Sequence, residues 1–154
     1  MHVAARRPRP TLAEFANRRI GNGTQADQLA NLLLRPFAAP SFIAFWRKWN
    51  PVYGYYLYYW SYRPLRRFVP RPVAELLTFA ASGFLLHDIP LFAVRRAAGF
   101  PYVTAWFVLA GAIAIAAEAW RMDLSRWPAA ARVAVNAGYL LSTLCAVVAF
   151  TIVV

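Results

Sequence analysis

Cysteine, histidine and acidic side chains are all scarce in this sequence of 154 residues. Its single cysteine, Cys145, excludes an internal disulfide framework and a cysteine-based metal site, so we expect neither a metal nor a bound cofactor. The two histidines are His2, in the basic N-terminal stretch, and His87. Chemistry that needs a base at neutral pH therefore has essentially one candidate, His87.

The charge balance is strongly basic, with 17 Lys and Arg, six Asp and Glu and a formal net charge of +11. Such a balance suits either nucleic acid or an anionic membrane surface. Hydrophobic residues make up 60% of the chain and its mean hydropathy is positive, which favours the membrane. The sequence contains no recognised nucleic-acid-binding motif, so membrane lipids are the expected partners.

Three segments are long and apolar enough to cross a bilayer, at 73–94, 102–120 and 133–154. A backbone in lipid must satisfy its own hydrogen bonds, so these segments are expected to be helices. The connections are short, which predicts an up-down-up arrangement. The sequence thus predicts an all-α integral membrane protein with a membrane domain at 41–154.

Residues 1–40 are predicted to form a basic N-terminal segment with two short helices. Thr11 and Glu14 form a T-x-x-E capping box for a helix that ends near Gly21. Thr24 offers a similar start for a second helix, which is expected to end before Pro36. Both helices are too short and too polar to span, so we expect them at the membrane surface.

An aromatic segment at 41–68 precedes the first span and contains six tyrosines between Pro51 and Tyr62. Tyrosine and tryptophan favour the headgroup level of a membrane. Ser41 is placed to cap a helix up to residue 49, and Pro51 is expected to bend or restart it. We predict a bent amphipathic or re-entrant element, with a simple membrane-surface anchor as the alternative.

The orientation follows from the distribution of basic residues, most of which precede residue 73. The positive-inside rule then predicts a cytoplasmic N-terminus, in a bacterial inner membrane, with the C-terminus outside.

His87 lies well inside the first span, with Gly83 before it and Pro90 after it. An ionisable residue at that depth is costly and suggests function. Asp88 points about 100° away around the helix and is not a ready partner for His87. Taken alone, His87 could equally be a hydrogen-bonding residue between packed helices.

Three motifs bear a resemblance to a known family: F-W-R-K-W-N at 45–50, Y-L-Y-Y-W-S-Y-R-P-L at 56–65 and F-A-A-S-G-F-L-L-H-D at 79–88. Together they resemble the membrane-bound O-acyltransferase family, nearest its sterol, diacylglycerol and wax-ester branches. The resemblance implies that His87 is the catalytic base and Asn50 a second active-site residue. Phe45, Trp49, Tyr62 and Pro64 match as framework, whereas Asp88 replaces the family's frequent glutamate.

The same resemblance implies an acyl group moving from a thioester, with acyl-CoA as co-substrate, to a hydroxyl acceptor that is itself lipidic. The donor phosphates are then expected to meet a group of basic residues, although anchoring to lipid phosphates is an equal alternative for them: Arg47, Lys48, Arg63, Arg66 and Arg67.

Family members are several hundred residues long with eight or more spans, whereas this sequence predicts three and resembles only the family's C-terminal core. A non-catalytic accessory or scaffold subunit of a larger membrane complex is therefore the alternative function. The spans of family members enclose a chamber. A homo-oligomer, or other membrane subunits, could also complete such a chamber here. Small residues on the second span would permit close packing with another helix: Ala110, Ala112, Ala114 and Ala116.

Overall fold

The computed structural model describes residues 9–21, 23–96 and 99–153, apart from the side chain of residue 153. His2 and most of the basic stretch at 1–10 lie outside the described residues. Within them, every element of regular structure is helical. Three helices are long and apolar enough to cross a membrane: Arg71–Arg95, Tyr102–Ala119 and Ala129–Ile152. The prediction of an all-α membrane protein with three spans is confirmed.

The two N-terminal helices begin at the predicted capping boxes. In α1 (Leu12–Ile20), Thr11 Oγ1 accepts from the Glu14 amide and the Glu14 carboxylate accepts from the Thr11 amide. Thr24 and Asp27 repeat the arrangement at the start of α2 (Gln25–Phe37). Each box satisfies two backbone amides that the first turn would otherwise leave unpaired.

Helix α2 runs past Pro36, where it was expected to stop. Proline removes one backbone donor, but the Ala38 amide still reaches the Leu34 carbonyl at 3.2 Å. Pro36 is also among the most deeply buried residues, so its packing offsets the lost bond. The two N-terminal helices pack on the rest of the chain, α1 against α4 (Pro51–Tyr56) and α2 against α3 (Phe42–Lys48) and α9 (Ala129–Val153).

The aromatic segment folds as two helical arms joined at Asn50. Ser41 caps α3 (Phe42–Lys48) by accepting from the Ala44 amide, as predicted. Asn50 adopts a left-handed conformation, with φ of 37°, which asparagine tolerates better than most residues. Pro51 then starts α4 (Pro51–Tyr56), where its fixed φ suits the first helical turn. The predicted bend and restart are therefore present.

The second arm continues through a π-helical turn, π1 (Leu57–Tyr62), into the short α5 (Arg63–Leu65). It lies antiparallel to the first long helix, because Tyr53 contacts His87 while Ser61 Oγ lies 3.3 Å from Thr78 Oγ1. His87 is sixteen residues after Arg71, the start of that helix. The arm thus packs alongside the first long helix, and whether it re-enters the membrane or anchors at its surface stays a prediction.

The first long helix consists of α6 (Arg71–Gly83), a second π-helical turn, π2 (Phe84–Asp88), and α7 (Ile89–Arg95). Each of the two π turns ends two residues before a proline, Pro64 or Pro90. A proline inside a helix clashes with the carbonyl four residues earlier and cannot donate to it. The wider π turn makes room for that carbonyl. The sequence predicted the disturbance at Pro90 but not its π-helical form.

Helices α8 (Tyr102–Ala119) and α9 (Ala129–Val153) complete the bundle. The start of α9 lies before the predicted residue 133, because the alanines after Pro128 favour helix. Large apolar side chains such as Leu141 and Phe150 are exposed on α9, as expected for a surface that faces lipid.

The core of the bundle forms where α3 crosses α8 and α9. Tyr139 on α9 stacks on Phe42 with ring centroids 4.0 Å apart, and its hydroxyl bonds the Ala110 carbonyl. Trp46 Nε1 donates to the same hydroxyl at 2.9 Å. Ala110 and Ala114 are fully buried in this core, so these two predicted small residues pack within the chain, whereas Ala112 is exposed.

The connection between α8 and α9 lies at the same end of the bundle as the N-terminal elements. The Leu124 amide donates to the Pro40 carbonyl at 2.8 Å. Asn136, which is fully buried, donates through Nδ2 to the carbonyls of Phe37 and Ala39 at 2.8 and 3.0 Å. We call these hydrogen bonds the polar seam. They place the α8–α9 connection and residues 37–40 on the same side of any membrane that the three helices cross.

Candidate functional site

A cavity of about 830 Å³ lies between the two arms of the aromatic segment, α6 and α8. Its lining extends from Arg71 to His87 on the first long helix, a rise of about 24 Å at 1.5 Å per residue. Charged residues line one end, and His87 and Phe107 line the other. Apolar and aromatic side chains that include Leu57 and Phe79 lie between them.

His87 is held by a single well-defined hydrogen bond. Its Nδ1 lies 2.9 Å from the Ser82 carbonyl oxygen. A carbonyl can only accept, so this bond requires the proton on Nδ1 and leaves Nε2 unprotonated in the neutral imidazole. The ring packs against Phe107, with centroids 5.1 Å apart, and meets the edge of Tyr53 at 6.1 Å. The arrangement presents an imidazole with a basic nitrogen in a largely aromatic wall.

Asn50 reaches the same cavity from the bend between α3 and α4. Its Oδ1 accepts from the Tyr53 amide at 3.2 Å and so caps α4. Its Nδ2 makes no hydrogen bond within the described residues, and remains able to donate to a ligand. The left-handed backbone at Asn50 is what turns this side chain back toward α4.

Tyr53 links the two predicted catalytic residues, since its backbone bonds Asn50 and its ring contacts His87. The sequence predicted that Asn50 and His87 face a common cavity, and both line it. Their catalytic roles stay a prediction.

The charged end of the cavity is a network of two arginines and two glutamates. Arg71 bonds Glu75 at 3.0 Å and Glu118 at 2.6 Å. Arg47 lies 3.4 Å from Glu118 and 3.8 Å from Glu75. Sequence reasoning did not predict this network. Arg71 and Glu75 are four residues apart on one helix, so their pair had a local signal. The pairs made by Glu118 join residues that are distant in the chain and had none.

The five basic residues predicted to hold donor phosphates do not form one group. Arg47 lines the cavity but is already paired with glutamates. Lys48 lines a different cavity, considered below. Arg63, Arg66 and Arg67 are exposed and line neither cavity.

Asp88 is a residue whose role the sequence did not predict. It is fully buried, and its carboxylate accepts from the amides of Val103 and Thr104 at 3.2 and 2.7 Å and from Thr104 Oγ1 at 2.6 Å. These donors belong to the first turn of α8, where unpaired amides and the helix dipole favour an anion. Asp88 faces away from His87, as predicted, and ties π2 to the neighbouring helix.

Within the described ranges, no three His, Cys, Asp or Glu side chains are grouped so that they could hold a metal ion.

The fold and site define a three-span, all-α membrane protein with a histidine-containing cavity between the aromatic segment and the first span. No family model, curated protein or solved structure matches the chain. The likeness to membrane-bound O-acyltransferases thus rests on the motifs quoted above.

Proposed function

We propose that the protein is a membrane-embedded acyltransferase that moves an acyl group from a thioester, such as acyl-CoA, to the hydroxyl of a lipidic acceptor. The observation that carries the proposal is the shared cavity, in which His87 has Nδ1 fixed on the Ser82 carbonyl and Asn50 has a free amide. The resemblance to O-acyltransferases supports the same two residues.

In this mechanism, Nε2 of His87 takes the proton of the acceptor hydroxyl as its oxygen attacks the thioester carbonyl. The carbonyl oxygen gains the negative charge, and the Asn50 amide donates a hydrogen bond to it. Collapse of the intermediate breaks the carbon–sulfur bond. The thiolate leaves with the proton held by His87, which returns the imidazole to its starting state.

The shape of the cavity suits a donor with a long apolar part and a polar head. Its walls between the charged end and His87 include Leu57, Phe79 and Phe107. Apolar walls bind a hydrocarbon chain by excluding water, and they also protect a thioester from hydrolysis. The paired arginines and glutamates at the opposite end leave that end open to a polar group.

The orientation belongs to the same proposal, with the N-terminal elements and the α8–α9 connection in the cytoplasm of a bacterial cell. Both lie at one end of the bundle, and the basic residues concentrate there. The test uses Cys145→Ala as background, since Cys145 is exposed. Ser125→Cys should be shielded from an impermeant thiol reagent outside intact cells, and a cysteine added after residue 154 should be labelled. The reverse pattern would overturn the orientation.

The functional unit is expected to contain more than one chain, because three spans offer little wall around an acyl chain. Native mass measurement of the purified protein in mild detergent tests this expectation. A fully active monomer would contradict it.

The function itself is tested by acyl transfer in liposomes that contain the purified protein, a labelled acyl thioester and a lipid alcohol. His87→Ala should lower turnover by about 10²–10⁴-fold, the usual contribution of a positioned base. Asn50→Asp keeps the Oδ1 that caps α4 but removes the donor. It should lower kcat by about 10²–10³-fold with little change in KM.

Ser142→Ala is the matched control, since Ser142 bonds only its own helix on α9. It should retain full turnover. A His87→Ala variant as active as this control would refute the catalytic role and leave the accessory-subunit alternative in its place.

A further inference from the structure

A second cavity, of about 520 Å³, shares Arg19 with the first and is lined almost wholly by cations. We call it the basic cleft. Its charged side chains come from α1, α2, α3 and the first turn of α9, and Ala38 completes the lining: Arg18, Arg19, Arg35, Lys48 and Arg132. Five positive charges from four helices thus meet in one concave site.

No side-chain carboxylate balances these charges. All six acidic residues of the sequence lie in the described part of the chain, and none lines the basic cleft. Each is engaged elsewhere: Glu14 with Thr11, Asp27 with Thr24, Asp88 with α8, Asp123 with Ser125, and Glu75 and Glu118 with the two arginines of the first cavity. The like charges in the cleft therefore repel one another unless an anion joins them.

Backbone groups hold two of the guanidinium groups in place without neutralising them. Arg19 Nε donates to the Arg47 carbonyl at 3.1 Å, and the group stacks 3.6 Å from the Phe15 ring centroid. Arg35 donates to the carbonyls of Arg19 and Ile20, both at 3.3 Å. In both arginines these bonds hold one edge of the guanidinium group, so the group is oriented before an anion binds. Such preorganisation favours tight binding.

Two further observations indicate that the cleft is suited to an anion. Arg132 Nε is buried and has no hydrogen-bond partner among the described residues. Burial also lowers the pKa of the Arg19 guanidinium, so its charge is partly removed from water. Buried donors and desolvated charges are normally paired, so the unpaired Arg132 Nε is able to donate to an anion in the cleft.

We propose that the basic cleft binds a phosphate monoester or diphosphate group. Planar guanidinium groups match the tetrahedral oxygens of phosphate with paired hydrogen bonds, and Lys48 adds a flexible point charge. Arg132 stands in the first turn of a span, so a lipid headgroup could reach the cleft from the membrane. A soluble phosphate compound could reach it from the aqueous side. The inference does not depend on the acyl-transfer proposal.

The test is calorimetric titration of the full chain in neutral detergent with dihexanoyl phosphatidic acid, sodium pyrophosphate or, as the uncharged control, dihexanoyl phosphatidylcholine. The cleft variant is Arg18→Gln with Lys48→Gln. Both side chains are exposed and make no hydrogen bond within the described residues, so the fold should be unaffected. Arg95→Gln with Arg126→Gln removes the same charge outside the cleft, at two exposed residues that line neither cavity.

The cleft variant should weaken binding of phosphatidic acid or pyrophosphate by at least about tenfold, as expected for losing charged hydrogen bonds, and the matched variant by far less. Saturable binding of phosphatidic acid alone assigns the cleft to a lipid headgroup. Binding of pyrophosphate with the same dependence on the variants assigns it to a soluble phosphate compound. Absence of saturable binding by either probe, or equal weakening in the two variants, would overturn the inference.

Discussion

Gly83 is a point of close approach between the first and second spans, and a single added methyl group tests that contact. A Cβ atom at Gly83 would lie 2.5 Å from Thr104 Cα and 2.9 Å from the Thr104 nitrogen. Carbon atoms in contact stand about 3.5–4.0 Å apart, so Gly83→Ala must push α6 and α8 apart by about 1 Å. Backbone atoms cannot move aside as a flexible side chain can.

The cost of Gly83→Ala has two parts. Overpacking of this kind costs about 1–3 kcal/mol. A separation of about 1 Å also stretches the bonds from Asp88 to the start of α8, including the 2.7 Å bond to the Thr104 amide, beyond useful hydrogen-bond length. Weakening these charged bonds costs about 1.5–3 kcal/mol. After the helix-propensity gain of about 1 kcal/mol from Gly to Ala, the net loss should be about 2–5 kcal/mol.

Gly138 supplies the matched control, because no atom lies within 4 Å of a Cβ placed there. Gly138→Ala should stabilise α9 by about 0.5–1 kcal/mol through propensity alone. The two variants thus carry the same chemical change with opposite expected signs. Thermal unfolding in detergent, followed by helical circular dichroism, compares their midpoints with the parent chain. A Gly83→Ala midpoint at or above that of Gly138→Ala would refute the close packing at Asp88 and Thr104.

Three further predictions concern other parts of the molecule. Asn136→Ala should lower the free energy of unfolding by about 2–4 kcal/mol in the same assay, because the carbonyls of Phe37 and Ala39 lose their buried donor. An unchanged midpoint would contradict a stabilising role for the polar seam. Gly54→Leu should not lower stability, because nothing crowds its Cβ and leucine favours helix more than glycine does, but it should shift transfer toward shorter acyl thioesters in competition, since Gly54 lines the cavity. An unaltered chain-length preference would argue against an acyl chain there. Hydrogen bonds from Thr24 hold the pKa of Asp27 below its usual range, so the cap should stabilise α2 above about pH 4. This contribution should fade as the pH falls, and the helix content measures it. Asp27→Asn should show no such fading.

The features that sequence predicted well are those with local causes. The capping boxes at Thr11 and Thr24 need only residues three apart, and both are present. The restart at Pro51 follows from the fixed φ of proline. The three spans follow from length and apolar content, which a bilayer imposes on any chain that crosses it.

The features that sequence could not predict depend on which distant residues meet. The pairing of Arg71 with Glu118 and the seam made by Asn136 join separate helices, and neither has a local signature. The π turns had a local cause in Pro64 and Pro90, yet a proline predicts only a disturbed helix and not its form.

Some features of the candidate site were predicted from the sequence and others were not. His87 stood out because an ionisable residue within an apolar span is costly, and Asn50 was added by the family resemblance. That both line one cavity depends on the path of the aromatic segment alongside the first long helix, which a sequence pattern does not specify. The role of Asp88 was missed because its partners lie on α8, across the loop that joins the two spans.

The central claim is that an acyl thioester binds in the cavity between Asn50 and His87, and photolabelling measures this directly. The protein in liposomes is irradiated with an acyl thioester that carries a photoreactive group near its carbonyl, and the labelled peptides are identified by mass spectrometry. We predict labelling around Tyr53, His87 and Phe107, which disappears when an excess of unmodified acyl thioester competes. Labelling confined to lipid-facing residues such as Leu141 and Phe150, with no effect of the competitor, would contradict the claim.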